Sequence, residues 1–98
     1  MSLPIHFSRP AQRELDHAVD WYEDRRSGLG DRFNNRVVEL ITQIVSNPQL
    51  FAEVEDGVRE AHVRRFPYCV YFRVLADRIE IISVFHTSRD PETWRSRI

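Results

Sequence analysis

Residues 63–97 read VRRFPYCVYFRVLADRIEIISVFHTSRDPETWRSR, and the period of this stretch decides the fold. Side chains alternate faces along a strand, so Tyr68, Val70, Phe72 and Val74 share one side while Cys69, Tyr71, Arg73 and Leu75 share the other. The first of these sides is wholly apolar and needs a cover. The pattern predicts strands over 68–75 and 79–85 joined by a turn at Ala76-Asp77, and a preceding strand over 58–65 ended by the break at Pro67. The hairpin then runs straight into a polar block, His86-Thr87-Ser88-Arg89-Asp90-Pro91. Apolar strands that deliver a His/Arg cluster have the form of a scaffold presenting a site.

Upstream the period changes from two to 3.6. A short strand over 3–7 is followed by Ser8, a helix cap, and by Pro10, tolerated in a first turn. Ala11, Leu15, Ala18, Val19 and Tyr22 then form one apolar stripe, with Asp16, Asp20 and Asp24 opposite it as a solvated face. Arg25 and Arg26 suit a helix C-terminus, and Gly28 and Gly30 are expected to end the helix. Asp31 is the expected cap of a second helix with the stripe Phe33, Val37, Leu40, Ile41 and Ile44, stopped at Asn47-Pro48. A loop containing Glu53, Glu55, Asp56 and Gly57 leads into the strands. The expected fold is α+β, in the order β-α-α-β-β-β, with a helix hairpin on one side of a mostly antiparallel sheet and the opposite face at least partly exposed.

The chain has 98 residues, the size of a single domain over 1–98. With 42% hydrophobic and 30% charged residues it falls among ordinary globular chains. It has no apolar run long enough for a spanning helix, so no membrane partner is expected. The N-terminal residues lack the basic and apolar regions of a secretory signal, and the one cysteine, Cys69, has no internal disulfide partner. Both features point to the cytoplasm. The formal net charge of -1 conceals an asymmetry: residues 1–56 carry six Arg against ten acids, residues 57–98 eight Arg against five. The second half is the candidate surface for an acidic partner. All fourteen basic residues are Arg, which excludes lysine chemistry and leaves two readings, a codon bias or an anion-binding preference.

By strand parity Glu60, His62 and Arg64 lie on one side, and Arg59, Ala61, Val63 and Arg65 on the other. If His62 and Arg64 join Tyr71 and Arg73 on the exposed face, they form a cluster suited to phosphate binding and general acid-base work. Parity alone does not settle this register, because Pro67 can introduce a bulge. His62 and His86 sit among arginines and are candidate proton carriers, whereas His17 belongs to the solvated side of the first helix. None of the histidines has metal-ligand spacing with Cys69 or a carboxylate, so neither a metal nor another cofactor is expected. Cys69 reads as an inert small side chain. Trp94, close to Arg89, Arg95 and Arg97, is either a packing residue or an aromatic anchor for a partner.

The order of elements, the first helix with Ser8, Ala11, Leu15, Ala18, Trp21 and Tyr22, the Asn47-Pro48 stop, the Val58-Arg59 strand and the closing YCVYFRV, IEIISVFH and SRDP segments together resemble the RelE/ParE superfamily of type II toxin-antitoxin toxins. The resemblance covers nearly the whole chain and implies a cytoplasmic toxin neutralised by the C-terminal segment of an antitoxin, here expected to be acidic and apolar. It divides into two activities. RelE-like members cleave mRNA in the ribosome without a metal, using cationic residues of the sheet face; ParE-like members poison DNA gyrase. Where RelE-type lysines would lie, this chain has Glu60 and His62, and Cys69 follows Tyr68 in place of an arginine. These departures favour the ParE branch. If the chain is instead a ribonuclease acting on ribosome-bound mRNA, His62, Arg64, Arg73, His86 and Arg89 are the catalytic candidates. The partner-binding candidates are Arg59, Arg64, Arg65, Tyr71, Arg73, Arg89 and Trp94. A non-toxic binding module of the same fold is the third reading.

Overall fold

A computed structural model describes residues 2–98. Strand β1 (Ile5–Phe7) leads into helices α1 (Arg9–Arg25) and α2 (Leu29–Ser46), followed by a single 3-10 turn at Pro48–Leu50. Strands β2 (Glu53–Glu55), β3 (Val58–His62), β4 (Tyr68–Val74) and β5 (Ile79–His86) and a four-residue helix α3 (Glu92–Arg95) complete the chain. The five strands form one sheet in the order β1-β5-β4-β3-β2, in which only β1 pairs parallel, with β5. The expected α+β architecture is thus observed, with one additional strand. Three-residue β2 pairs along β3 through an irregular register at the sheet edge, too short to carry a detectable alternation.

The helix hairpin covers one face. Ala11, Leu15 and Ala18 of α1 and Phe33, Val37, Leu40 and Ile44 of α2 are buried against Ala61, Val63, Val70, Phe72, Ile79, Ile81 and Val84. Each large side chain removed from water here contributes about 1.5–3 kcal/mol, so this inner layer dominates the stability of the fold. Ser8 caps α1 as expected, its hydroxyl accepting from the Ala11 amide at 3.2 Å.

The second helix begins differently from the expectation. Asp31 lies within the first turn of α2 and does not cap it. The capping oxygen comes from α1: the Glu23 carboxylate accepts from the amides of Gly28 and Gly30 at 2.9 and 3.0 Å. Only Gly28 makes the turn, with φ +88. Gly30 is a buried helical residue whose missing side chain lets the two helices touch, since a Cβ there would lie 2.6 Å from the Val19 carbonyl oxygen. A carboxylate five to seven residues upstream of the amides it satisfies has no local sequence signature, which is why the nearer acid looked like the cap.

The β3 strand is shorter than expected and stops at His62. Arg64 and Arg65 belong to a turn in which the Phe66 amide donates to the Val63 carbonyl at 3.3 Å and Arg65 takes φ +71. Between β4 and β5 the register shifts, because Tyr71 pairs with Ser83 and Phe72 with Ile81. Ile82 is the extra residue of this bulge and turns toward the outer face, where it joins Val58, Cys69, Tyr71, Phe85 and Trp94 in a second buried cluster. The outer face is therefore not an open platform. Its centre is closed by α3, and only its periphery, including His62, remains exposed.

Candidate functional site

The pairs Glu60↔Tyr71 and His62↔Cys69 answer the register question: Glu60, His62, Cys69, Tyr71 and Arg73 share the outer face. The Trp94 ring stacks on Tyr71 with centroids 4.0 Å apart and planes inclined by 16°. Underneath, the Tyr71 hydroxyl donates to the Glu60 carboxylate at 2.7 Å. Burial, reinforced by that hydrogen bond and by the carboxylate charge, raises the Tyr71 pKa and keeps the phenol protonated. Burial followed by the Glu60 charge pushes the neighbouring Cys69 thiol up to about 11, so it is not a thiolate at neutral pH. Trp94 is 2% exposed, and among the described residues its indole N–H has no hydrogen-bond partner. Tyr71 and Trp94, anticipated as partner contacts, are thus occupied with each other inside the folded chain.

The remaining candidates do not form one surface. Arg59 lies on the helix side of β3, its guanidinium donating to the Phe51 carbonyl at 2.7 Å. Arg64 and Arg65 occupy the β3–β4 turn, away from Arg73, which reaches toward the Asp56 carbonyl at the far end of the sheet. His86 and Arg89 lie at the Arg64/Arg65 end of the sheet, where His86 pairs with Tyr68 and the Thr87 amide donates to the Pro67 carbonyl at 2.9 Å. They line a cleft of about 800 Å³ between α1 and the ends of β4 and β5, together with Arg13, Glu14, His17, Trp21, Tyr22, Pro67, Tyr68, Val84 and Ser88.

This cleft combines an aromatic wall with cationic side chains. Its wall is aromatic: Tyr22 packs on Phe33 and Phe66 at 5.1 and 4.9 Å, and Tyr68 packs edge-on to His86 at 5.1 Å. Trp21 stands 47% exposed at the rim with the Arg25 guanidinium 4.3 Å over its ring. Burial raises the Tyr22 and Tyr68 pKa values; for Tyr68 the nearby Arg89 charge acts in the opposite sense. Neither phenol ionises in the neutral range. The Ser88 amide donates to His86 Nδ1 at 3.1 Å, which assigns the proton of a neutral ring to Nε2.

The floor of the cleft is tied to the C-terminus. Strand β1 pairs as far as Ile81, so the outer edge of β5 beyond it has no strand partner among the described residues. Glu14 takes that place, accepting from the Ser83 hydroxyl at 2.9 Å and the Val84 amide at 3.2 Å. Both of its oxygens also accept from the Arg97 guanidinium, at 2.9 and 3.0 Å. This fork neutralises Glu14 and leaves the cations of Arg13 and Arg89 to set the character of the cleft. Arg13 and His17 were not singled out as site residues by the sequence, because they sit on the flank of α1 that its stripe assigns to solvent. Among the described residues no group of three or more His, Cys, Asp or Glu side chains is placed to hold a metal ion, and no helix is long and apolar enough to cross a membrane.

Residues 5–91 match the family model described as the ParE toxin of the type II toxin-antitoxin system, parDE. Toxin ParE2 of Mycobacterium tuberculosis is 29% identical over 99 residues, spanning 100% of this chain and 94% of the relative. Among solved structures, the chromosomal ParDE toxin-antitoxin system from P. aeruginosa superposes with a TM-score of 0.74 at 22% identity, covering 89% of this chain and 98% of that one. An E. coli RelE toxin mutant, solved with an antitoxin RelBc peptide, gives 0.61 at 16% identity, covering 100% and 96%. At these identities the two structures establish a shared fold.

Proposed function

Because the chain belongs to the ParE toxin family and is the toxin component of a type II toxin-antitoxin system, we propose that it arrests growth by binding DNA gyrase rather than by cutting mRNA. The observation that carries this reading is the state of the outer sheet face. Cleavage of an RNA backbone without a metal needs cations beside the scissile phosphate and a group able to move a proton. Here the centre of that face holds Tyr71, protonated and covered by Trp94, beside the carboxylate of Glu60 and the neutral thiol of Cys69. A carboxylate in that place repels a phosphate, and a phenol that donates its proton to that carboxylate beneath Trp94 does not present it to a substrate.

The toxin's partner is an antitoxin, and the α1/β5 cleft supports a docking mode for it. Aromatic walls with arginines at the rim suit an amphipathic segment that carries acidic side chains between apolar ones. Such a segment would cover the cleft without needing the closed outer face.

A ribosome-dependent nuclease is the second reading, and its support is also the cleft, where His86 in a defined tautomer lies beside Arg89 and Tyr68. One experiment separates the two. On expression without antitoxin, gyrase poisoning yields stalled cleavage complexes and a DNA-damage response while translation continues. Intact supercoiling with codon-phased mRNA cuts that vanish in His86→Ala would overturn the gyrase reading in favour of the nuclease. Harmless expression would refute both and leave a non-toxic module.

A further inference from the structure

A second, smaller cleft of about 470 Å³ opens on the opposite flank of the helix hairpin, between α2 and the β3–β4 turn. Three arginines line it: Arg32 and Arg36, one turn apart on α2, and Arg65 of the turn. Its only carboxylate, Glu39, pairs with Arg36 at 3.2 Å. Among the described residues neither Arg32 nor Arg65 has a carboxylate within ion-pair distance, so the cleft retains two uncompensated positive charges. This concentration lies largely within residues 1–56, the part of the chain with an excess of acids.

The backbone supplies an independent observation. Arg65 has φ +71 and is the only non-glycine residue with positive φ among the described residues. It is the third residue of the turn closed by the Phe66-to-Val63 hydrogen bond, a position where glycine removes the strain of a positive φ. A long cationic side chain is instead held there, in a strained conformation, at the edge of a cleft already containing two guanidinium groups.

The chemistry of the two clefts differs. The larger one is walled by aromatic rings and suits apolar side chains of a peptide. The smaller one offers only Leu29 and Phe66 as apolar surface, so its occupant is defined by charge. A carboxylate has two oxygens and a single charge and satisfies one guanidinium fork. A terminal phosphate presents three oxygens and up to two charges and can accept from two forks at once, and successive phosphodiesters of a nucleic acid, each with one charge, can be met by separate forks. We propose that the Arg32/Arg36/Arg65 cleft is a phosphate-group site, filled either by a small phosphorylated molecule or by the backbone of a nucleic acid. This goes beyond the toxin reading and does not depend on which target the toxin has.

The test uses the full-length protein free of antitoxin, titrated separately with inorganic pyrophosphate and with a short fluorescein-labelled DNA duplex at several salt concentrations. Binding of pyrophosphate alone assigns the small-molecule source, and binding of the duplex the nucleic-acid source; either supports the site. Arg65→Gly should raise the thermal midpoint by relieving the turn while weakening binding at least threefold, and for the duplex it should reduce the slope of log K against log salt by about one contact. Arg65→Lys, which keeps the charge and the strain, should retain intermediate affinity. The proposal is overturned if neither probe binds, if Arg65→Gly and Arg32→Ala both leave affinity and salt slope unchanged, or if a glutamate-rich peptide competes as well as pyrophosphate.

Discussion

The two faces of the sheet are buried by different means. On the inner face, α1 and α2 lay two complete apolar stripes over Val70, Phe72, Ile79, Ile81 and Val84, so each side chain has neighbours from several elements. On the outer face, Val58, Cys69, Tyr71, Ile82 and Phe85 are closed by one residue, Trp94, carried on a four-residue helix. A helix of this length does not persist alone in water. It is held by the Trp94 stack, by Arg95 to Glu55 at 2.9 Å, and by Arg97 to Glu14. The inner face is thus a cooperative core and the outer face a local closure, which predicts global unfolding in one case and local opening in the other.

The largest effect belongs to the inner face. Phe72→Ala removes a fully buried ring from the centre of the sheet and should destabilise by about 4 kcal/mol, read as a shift in urea midpoint at constant slope. A loss below about 1 kcal/mol would mean that the two faces do not differ as described.

Trp94→Ala should cost less, about 3 kcal/mol, the lower end for a buried aromatic, because α3 can detach while the core stays folded. Its informative readout is the thiol of Cys69. Burial raises that group's folded-state pKa above its unfolded value, so its contribution to stability is complete below about pH 9 and is lost as pH rises toward about 11. In the parent chain thiol labelling should stay slow until strongly alkaline pH. In Trp94→Ala it should accelerate at least tenfold near pH 8, with the far-ultraviolet spectrum unchanged. Equal labelling rates in the two proteins would show that Trp94 is not the cover.

The smallest effect concerns the connection between the faces. Arg97→Ala leaves Glu14 with the Ser83 hydroxyl and the Val84 amide, and since the pair is 21% and 13% exposed the cost should be about 1–2 kcal/mol, below that of a fully sealed ion pair. Amide exchange should accelerate at Trp94 and Arg95 but not in α2. Uniform acceleration across the chain would place the C-terminus within the cooperative core.

Periodicity determined most of the architecture. The stripes of α1 and α2, the Ser8 cap, the Asn47-Pro48 stop and the alternation of β4 and β5 are local signals, set by residues within a turn or two of each other. The placing of His86 and Arg89 at and just beyond a strand end is legible for the same reason, because the end of β5 can be read from its alternation. What required the tertiary structure is contact across long separations. Glu14 meets Ser83 and Arg97 only when α1 lies along the edge of β5. The packing of α1 likewise turns Arg13 and His17 from a solvated flank into the wall of a cleft, and the packing of α2 places Arg32 and Arg36 opposite Arg65. Trp94 shows the division most clearly: Arg95, next to it in the sequence, sits 5.4 Å over its ring, but the ring it stacks on is that of Tyr71, far upstream in the chain. Local pattern determined which faces are apolar, while chain topology alone decided which of them the protein covers with its own residues and which it leaves for others, because that choice depends on what the folded chain brings alongside.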